Sequence, residues 1–474
     1  MTVDHTLATM SAIDMIEGFR SRAFSPVEVH DAVQAVIEAR EPVLNAFWVR
    51  DPEASRKAAR TSEARWACGG PIGPIDGVPV SLKENIARVG VPMPAGNAGV
   101  QPVVPELDAP ITARTLESGG VVLGSTVMPD WGMLSSGVSS LHGITRSPWN
   151  PAWTTGGSSS GAGAAAAAGY GPLHVGTDIG GSLRLPGTWL ALVTLKPSAG
   201  RIPLDQPYLG RCAGPMTRTV ADAALVMRVL SRPDPRDWSS LPPEDLDWSA
   251  LGQDVSGLRV ALHLDAGCGE PLDPEVEHAI ITAAEVFETA GATVEPLEPF
   301  MDQDLLDDLD LFWRVRSWRD YRALPPERRI RVLPYIAQWC QGGSDVSGTK
   351  VLQCYEQIMR IQAGTVAATT PYDLVLSPVA PVAAFPAEQP MPFVDDGKGM
   401  AHIGFTAPFN MSGQPAASVN CGFTADGRPV GVQISGRRFD DLAVLRAAAW
   451  YERNRPPEAV PRWPDLPSRE DGTP

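Results

Sequence analysis

Three residues of this sequence have the types and setting that acyl transfer requires: Lys83, Ser158 and Ser182. Ser158 and Ser182 each follow a glycine within the Gly/Ser-rich stretch 156–187, and Lys83 follows the apolar run 78–82. A serine hydroxyl becomes an effective nucleophile beside a base within hydrogen-bond reach. A lysine and two glycine-flanked serines could therefore carry out acyl transfer without histidine, metal or cofactor.

Lysine can act as that base only in its neutral form, whereas its ordinary pKa lies near 10.4. Neutralising it at pH 7 costs about 4–5 kcal/mol. Burial in an apolar setting lowers the pKa of a lysine, and Val78, Val80 and Leu82 provide such a setting. We therefore predict that Lys83 is buried and neutral.

Two other motifs overlap the same stretch. Residues 157–161 match the G-x-S-x-G of α/β-hydrolases, and Asp395 and His402 follow in the order of that triad. The motif requires a strand directly before the serine, and residues 150–157 do not predict one. Residues 161–166 imitate a dinucleotide-binding fingerprint but lack the same strand. The sequence therefore favours neither alternative.

The composition is that of a globular enzyme and argues against several other classes. Of 474 residues, 43% are hydrophobic, and the net charge of −16 disfavours nucleic-acid binding, which needs clustered Lys and Arg. The six cysteines and seven histidines lack CxxC and HExxH spacing, so we expect no metal, no cofactor and no disulfide framework. No apolar stretch approaches the ~20 residues of a membrane span, and the N-terminus lacks a signal-peptide pattern. We expect a cytoplasmic protein with no membrane partner.

Alternating helices and strands predict an α/β fold around these residues. Helices are expected over 11–65, where Ser25 is predicted to cap one of them. One helix is expected to start at residue 110 and another directly after the Gly/Ser turn at 156. Further helices are expected at 218–231, 274–290, 301–320 and 439–453. Strands are expected before Lys83 and at 121–123, 258–262 and 373–377, with a hairpin at 415–435 that turns at Asp426-Gly427.

The chain resembles the amidase signature family over nearly its whole length. GVPVSLKENI (77–86) is similar to the family's lysine motif, and GGSSSGAGAAAAAG (156–169) and GTDIGGSLRLP (176–186) are similar to its serine motif. Three further segments fit in the family's order: 195–203, 214–222 and 409–436. The resemblance implies a large mixed β-sheet sandwiched between helices.

This resemblance also implies a domain organisation. We expect an N-terminal helical region over 1–65 and an amidase signature domain over 66–455. Within that domain, the region 230–370 is expected to be helical and to form one wall of the substrate pocket. A loose tail is expected over 456–474.

Residue by residue, the resemblance assigns Ser182 as the acyl-accepting nucleophile, Lys83 as the base and Ser158 as the serine between them. The peptide bond before Ser158 is expected to be cis. Ser158 would relay the proton of Ser182 to Lys83 and return it to the leaving nitrogen.

The neighbours of these residues receive supporting roles. The backbone N–H groups of four residues are expected to form an oxyanion hole, worth about 3–4 kcal/mol per donor: Ile179, Gly180, Gly181 and Ser182. Further residues are expected to line the pocket or to support the nucleophile: Thr177 and Met133 for the pocket, and Ser159, Asp178 and Arg184 for support.

These roles predict an amidase that hydrolyses an amide-type C–N bond through an acyl-serine intermediate. An aryl or bulky acyl group is suggested by a set of large side chains: Trp131, Met133, Leu134, Trp313, Trp318 and Phe405. Aryl amides, anilides and acyl hydrazides would all suit, and the expected partner is such a small molecule, with a homodimer left open.

Two alternatives of other classes remain. The first is the amidase component of a tRNA-dependent amidotransferase, which would supply ammonia from glutamine to a partner subunit. Residues 129–140 depart from the more acidic, polar segment associated with that component. The second is a non-enzymatic binding module, which would bind amides without turning them over.

Overall fold

The computed structural model describes residues 6–394 and 399–464 of the chain. Its α-helices are α1 (Thr6–Thr9), α2 (Ala12–Ser21), α3 (Pro26–Leu44), α4 (Pro52–Ala67), α5 (Pro110–Glu117), α6 (Ser160–Ala168), α7 (Arg184–Trp189), α8 (Val220–Leu230), α9 (Pro274–Thr289), α10 (Gln303–Ala323), α11 (Pro326–Arg329), α12 (Pro334–Gln341), α13 (Gly348–Thr369), α14 (Ala407–Met411) and α15 (Asp441–Asn454). Its strands are β1 (Phe47–Arg50), β2 (Pro79–Lys83), β3 (Val121–Thr126), β4 (Val138–Ser139), β5 (Gly143–Ile144), β6 (Leu173–Asp178), β7 (Val193–Lys196), β8 (Cys212–Thr217), β9 (Arg259–Leu262), β10 (Thr293–Pro296), β11 (Leu374–Pro378), β12 (Ala416–Phe423) and β13 (Pro429–Gly436).

Eleven of these strands form one mixed sheet in the order β1-β3-β2-β6-β8-β7-β12-β13-β11-β9-β10. The pairs β3–β2, β2–β6, β11–β9 and β9–β10 are parallel, and the other neighbours in the sheet are antiparallel. Strands β4 and β5 form a separate two-stranded ribbon. The α/β class and the large mixed sheet with helices are therefore as predicted.

The local signals in the sequence explain several element boundaries. The Ser25 side chain accepts a hydrogen bond from the Glu28 backbone, and the Glu28 carboxylate accepts one from the Ser25 N–H, which makes a capping box at the start of α3. Strands β12 and β13 pair as the predicted hairpin, and Gly427 takes a positive φ of 88° at its turn.

Two segments differ from the prediction. The helices expected over 11–65 are interrupted by β1, which pairs with β3 at one edge of the sheet. The region 230–370 contains the strand expected at 258–262, which is β9, and an unexpected strand, β10, at the other edge of the sheet, so only its later part, from α10 to α13, consists of helices and their connections. In both cases long-range strand pairing decides the outcome, and local periodicity does not report it.

Two large clusters of buried apolar side chains hold the layers together. The first joins the N-terminal helices to α8, α9, α15 and the sheet, through residues such as Met15, Val33, Leu225, Phe287 and Leu445. The second joins α10, α12 and α13 to α7 and α14, through residues such as Leu309, Trp339, Ile358, Trp189 and Met411. The long helices α10 and α13 thus form a wall beside α7.

The candidate catalytic residues meet because β2 and β6 are parallel neighbours in the sheet. Their carboxyl ends lie at the same edge, so Lys83 at the end of β2 comes close to Thr177 and Asp178 at the end of β6. The turn 156–159 leads into α6, which packs on both strands. The fold therefore gathers three distant segments at one point.

The segment after α15 is partly packed where a loose tail was expected. The Asn420 side chain donates to the Ala459 carbonyl at 2.8 Å, and the Trp463 ring packs against Trp149 with ring centroids 5.7 Å apart. Of the tail 456–474, the part up to 464 is described. Across the described residues, no helix combines the length and the apolarity that crossing a bilayer requires.

Candidate active site

Lys83 is fully buried, and three hydroxyl oxygens surround its amine. Its Nζ lies 2.8 Å from Ser158 Oγ, 3.1 Å from Ser159 Oγ and 3.2 Å from Thr177 Oγ1. The Asn85 amide donates to the same Thr177 hydroxyl at 3.1 Å. The lysine is thus held by neutral groups, and no ion pair reaches its amine within the part of the chain that the structure describes.

Burial lowers the pKa of Lys83 to about 7, and the positive charge of Arg211 acts in the same direction. The carboxylates of Glu84 and Asp178 oppose this change without cancelling it. A substantial fraction of Lys83 is therefore neutral near pH 7, where an ordinary lysine is almost wholly charged. The predicted burial of Lys83 is confirmed, and its pKa is lowered, but near pH 7 only a fraction of Lys83 is in the predicted neutral state.

The two adjacent serines have different hydrogen-bond partners. The Ser159 hydroxyl donates to the Thr177 carbonyl at 3.0 Å and accepts from the Thr177 N–H at 3.2 Å. The Ser158 hydroxyl contacts Lys83 and has no other partner among the described residues. The peptide bond between Gly157 and Ser158 is cis, as the resemblance implies. Of the two serines, Ser158 is therefore the one whose hydroxyl hydrogen is not already donated to another acceptor.

Ser182 lies on the loop between β6 and α7, partly exposed, at the wall of the main cavity. Its hydroxyl has no hydrogen-bond partner in the described residues, and neither do the backbone N–H groups of Ile179, Gly180 and Ser182. The Gly181 N–H, by contrast, donates to Asp178 Oδ1 at 2.7 Å. The predicted four-donor oxyanion hole is therefore wrong for Gly181, because a neighbouring carboxylate already uses that donor. Three N–H groups remain.

A buried ion pair fixes this loop. The Arg184 guanidinium donates to both Asp178 oxygens at 3.0 Å, and the Leu183 N–H also donates to Asp178 at 3.0 Å. Burial alone would raise the pKa of Asp178, but Arg184, Asn410 and the backbone donors outweigh it and hold that pKa below its usual range. The carboxylate therefore stays charged and anchors both ends of the loop.

Further residues complete this network from distant segments. The Arg184 guanidinium also donates to the side-chain oxygens of Asn410 and Gln433 and to the Thr406 carbonyl. The Thr406 hydroxyl donates to the Gly180 carbonyl at 2.6 Å. Sequence reasoning missed Thr406, Asn410 and Gln433. The signal available was that each is a polar residue inside an otherwise apolar, buried segment.

A cavity of about 920 Å³ opens in front of these residues and is lined by Ser158, Thr177, Ile179 and Ser182. Of the large side chains predicted to form the acyl pocket, Trp131 and Met133 line it. The other four are not among the described residues that do so: Leu134, Trp313, Trp318 and Phe405. They pack elsewhere instead, in the second apolar cluster or against neighbouring rings.

The α/β-hydrolase triad and the dinucleotide-binding fingerprint find no support in the geometry. His402 is buried, and its Nε2 lies 2.7 Å from the hydroxyl of Ser135, while Asp395 lies outside the described residues. Only isolated bridges at Trp153 and Thr154 precede the turn at Ser158, so no strand leads into it. Among the residues described, no group of three or more His, Cys, Asp or Glu side chains could hold a metal ion.

Comparison with known proteins identifies the family. The family model described as Amidase matches residues 28–445. An acylamidase of Rhodococcus erythropolis is 34% identical over 464 residues, covering 96% of this chain and 97% of the relative. A glutamyl-tRNA(Gln) amidotransferase subunit of Chloroflexus aurantiacus is 33% identical over 465 residues, covering 90% of this chain and 93% of the relative.

A solved structure agrees with these relatives. The crystal structure of a bacterial aryl acylamidase of the amidase signature family superposes with a TM-score of 0.86 at 30% identity, covering 94% of this chain and 96% of that one. The family model spans the lysine, the serine-rich turn and the loop of Ser182 together. The chain therefore belongs to the amidase signature family and is a hydrolase of amide carbon–nitrogen bonds.

Proposed function

We propose that the protein hydrolyses amides through an acyl intermediate on Ser182, with Lys83 as the base and Ser158 as the relay. One observation carries this proposal most directly. A buried lysine amine with a pKa lowered to about 7 lies 2.8 Å from Ser158 Oγ, at the wall of the cavity that also exposes Ser182. A base poised near the working pH is what general-base catalysis requires.

In the acylation step, neutral Lys83 takes the proton of Ser158 while Ser158 takes the proton of Ser182. The Ser182 oxygen bonds to the carbonyl carbon, and the carbonyl oxygen becomes negatively charged. The N–H groups of Ile179, Gly180 and Ser182 are free to stabilise that charge. As the tetrahedral intermediate collapses, the C–N bond breaks and the proton returns through Ser158 to the leaving nitrogen.

In the deacylation step, water replaces the amine in the cavity. Lys83 and Ser158 remove its proton, the hydroxide attacks the acyl carbon, and the carboxylic acid leaves as Ser182 regains its proton. The same three side chains therefore serve both half-reactions. Ser159 is better suited to positioning than to relay, because its hydroxyl hydrogen is donated to the Thr177 carbonyl.

The proposed substrate has an apolar aryl or acyl group, as in aryl amides, anilides or acyl hydrazides. Trp131 and Met133 support this assignment because both line the cavity beside Ser182. The similarity to a bacterial aryl acylamidase points the same way. We also propose a cytoplasmic enzyme that acts on free small molecules, since all six cysteines are unpaired. A homodimer is proposed as its assembly.

Trapping the acyl-enzyme tests the mechanism. Incubation with an activated anilide, rapid acid quenching and peptide mass spectrometry should find the acyl group on Ser182. Ser182→Ala should form no adduct, and Ser158→Ala should lose at least about 10³-fold in kcat/KM. Ser159→Ala, the matched control one residue away, should lose far less. An adduct on Ser159, or equal losses for both serines, would overturn these roles.

A second function has a specific observation in its favour. The relative from Chloroflexus aurantiacus belongs to a glutamyl-tRNA(Gln) amidotransferase and shares 33% identity with this chain. This chain would then release ammonia from glutamine for a partner protein. Assays of the purified chain with L-glutamine and with acetanilide distinguish the two functions. Strong glutaminase activity without anilide turnover would replace our proposal with this alternative.

A further inference from the structure

Two arginines in the wall of the active-site cavity lack acidic partners. Arg211 precedes β8, Arg316 lies on α10, and both line the same cavity as Ser182. Among the described residues, the Arg211 guanidinium donates only to the Gln206 carbonyl, at 3.4 Å. Arg316 contacts Met133 Sδ at 3.1 Å, and its guanidinium carbon stands 4.9 Å from the centroid of the Tyr208 ring. Neither forms an ion pair within the described residues.

The carboxylates near this pair are engaged elsewhere or lie at the rim of the cavity. Arg319 also lines the cavity, but Asp320 neutralises it at 2.8 Å. Asp205 and Glu106 lie at the exposed rim of the cavity, and neither pairs with the two arginines in the part of the chain described. Burial lowers the pKa of Arg211, and the like charge of Arg316 lowers it further, while the carboxylate of Asp205 opposes this change without cancelling it.

Unpaired guanidinium groups beside a reactive serine are costly unless a ligand supplies the opposite charge. A planar guanidinium matches a carboxylate particularly well, because its parallel N–H donors meet both carboxylate oxygens. The pair Arg211 and Arg316 therefore fits an anionic group on a molecule that also reaches Ser182.

A second part of the cavity wall is apolar and exposed. The side chains of Val103, Val104 and Leu107 line the cavity and are 66%, 54% and 71% exposed. Exposed apolar side chains grouped at a cavity indicate a surface that a ligand covers. A ligand with an apolar body and an anionic end would satisfy both walls at once.

We infer that the substrate is an amide that carries a carboxylate, which Arg211 and Arg316 bind while its apolar part covers Val103, Val104 and Leu107. This inference rests on the proposed amide hydrolysis at Ser182. The carboxylate could belong to the acyl side, as in a dicarboxylic acid monoanilide, or to the amine side, as in an anilide with an acidic substituent. The chemistry of recognition is the same in both.

Matched substrate pairs test the inference and distinguish these sources. On the acyl side, glutaric acid mono-4-nitroanilide is compared with pentanoic acid 4-nitroanilide. On the amine side, 3-(4-acetamidophenyl)propanoate is compared with 4-butylacetanilide. The wild-type enzyme should prefer the carboxylate of one pair by about 10- to 100-fold in kcat/KM, the range for a hydrogen-bonded charged contact.

The variant Arg316→Gln should remove most of that preference, chiefly by raising KM for the carboxylate substrate. Arg322→Gln is the matched control, since it is exposed, lies on the same helix and is not among the cavity-lining residues. It should keep the preference. The inference would be overturned if the enzyme hydrolysed both neutral substrates in preference to their carboxylates. It would also be overturned if the preference for a carboxylate substrate survived Arg316→Gln.

A binding measurement separates this inference from the proposed function. Calorimetry with Ser182→Ala and each substrate pair should show tighter binding of a carboxylate, lost in the double variant with Arg316→Gln. If the wild-type enzyme hydrolyses no anilide but this Arg316-dependent binding remains, the proposed function fails and only the assignment of Arg211 and Arg316 as a carboxylate-binding pair stands. If anilides are hydrolysed and bound without preference for a carboxylate, the inference fails and the proposed function stands.

Discussion

At the residue scale, the proposed chemistry depends on a lysine whose amine contacts hydroxyl groups and, among the described residues, no carboxylate. A carboxylate in contact with Nζ would keep the amine charged, whereas Ser158, Ser159 and Thr177 can hydrogen-bond to it in either state. The Arg211 charge then favours the neutral form further. The same arginine therefore has two effects, one on the base and one on an anionic substrate.

We predict that kcat/KM for a neutral anilide rises with pH through an apparent pKa of about 7, because only neutral Lys83 accepts a proton. Below this pKa the lysine is charged, so activity should fall about tenfold per pH unit. Arg211→Gln removes a charge that lowers the pKa of Lys83, so the acidic limb should move to higher pH. Initial rates between pH 5 and 9 measure both.

The exposed Arg322→Gln serves as the control for that shift and should leave the acidic limb in place. A neutral substrate is used so that loss of the arginine does not also remove a carboxylate contact. An activity that stays constant from pH 7 down to pH 5, in the wild-type enzyme, would exclude Lys83 as the base.

At the element scale, the loop between β6 and α7 is shaped by the carboxylate at its start. Asp178 ends β6, and its carboxylate accepts hydrogen bonds from the N–H groups of Gly181 and Leu183. Arg184, at the start of α7, donates to the same carboxylate. Gly181 has a φ of +124°, and a Cβ there would lie 2.8 Å from the Thr406 hydroxyl. Glycine is therefore required at this position by conformation and by space.

We predict that Arg184→Gln destabilises the protein by about 3–5 kcal/mol, because it leaves Asp178 buried without its counter-charge. Since the pKa of Asp178 is lowered in the folded state, the stability from this pair is fully present above its unfolded pKa near 3.8 and is lost progressively as pH falls from that value towards the lower folded pKa. Urea denaturation at pH 7 and at pH 3.5 should show that the free energies of unfolding of Arg184→Gln and wild type differ less at the lower pH.

The control is Arg319→Gln, which breaks an ion pair whose partners are 75% and 43% exposed. Screening by water makes such a pair weak, so its loss should change stability much less. If the free energies of unfolding of Arg184→Gln and wild type differed equally little at both pH values, the buried pair would not hold the loop.

The sequence predicted elements well wherever the signal was local. The Ser25 cap of α3, the hairpin turn at Gly427 and the glycine turns around Ser158 and Ser182 are each defined by a few adjacent residues. It failed where distant segments decide, as at β1, which is a strand because β3 offers an edge. The engaged Gly181 N–H was missed for a related reason, since only the folded loop shows which acceptor uses it.

The pocket was the part least accessible from sequence. Trp131 and Met133 line the cavity, whereas Trp313 and Phe405 pack into the interior. Arg211 and Arg316 come from a loop and a helix more than 100 residues apart, and no motif connects them. Side chains of this kind acquire a role only through the tertiary contacts that bring them together.

At the scale of the whole molecule, one buried carboxyl group joins the N-terminal helices to the main sheet layer. Asp222 on α8 accepts from the Ala12 N–H at 2.9 Å and from the Ile13 N–H at 3.4 Å, at the start of α2. Its second oxygen is buried and has no hydrogen-bond partner among the described residues. Burial raises the pKa of Asp222 to about 7.

A carboxyl group with a raised pKa makes stability fall as pH increases. Below its unfolded pKa near 3.8, Asp222 is protonated in both states and carries no penalty. Between that value and about 7 the unfolded state ionises while the folded state keeps its proton, so stability declines by about 4 kcal/mol in total.

Asparagine retains the acceptor for α2 but cannot ionise. We therefore predict that Asp222→Asn matches wild type at pH 4 and is more stable than wild type at pH 8. Guanidinium denaturation of both proteins across this range measures the difference, with the exposed Asp254→Asn as the charge-matched control. If Asp222→Asn were less stable than wild type by the same amount at every pH, Asp222 would instead hold α2 as a charged cap.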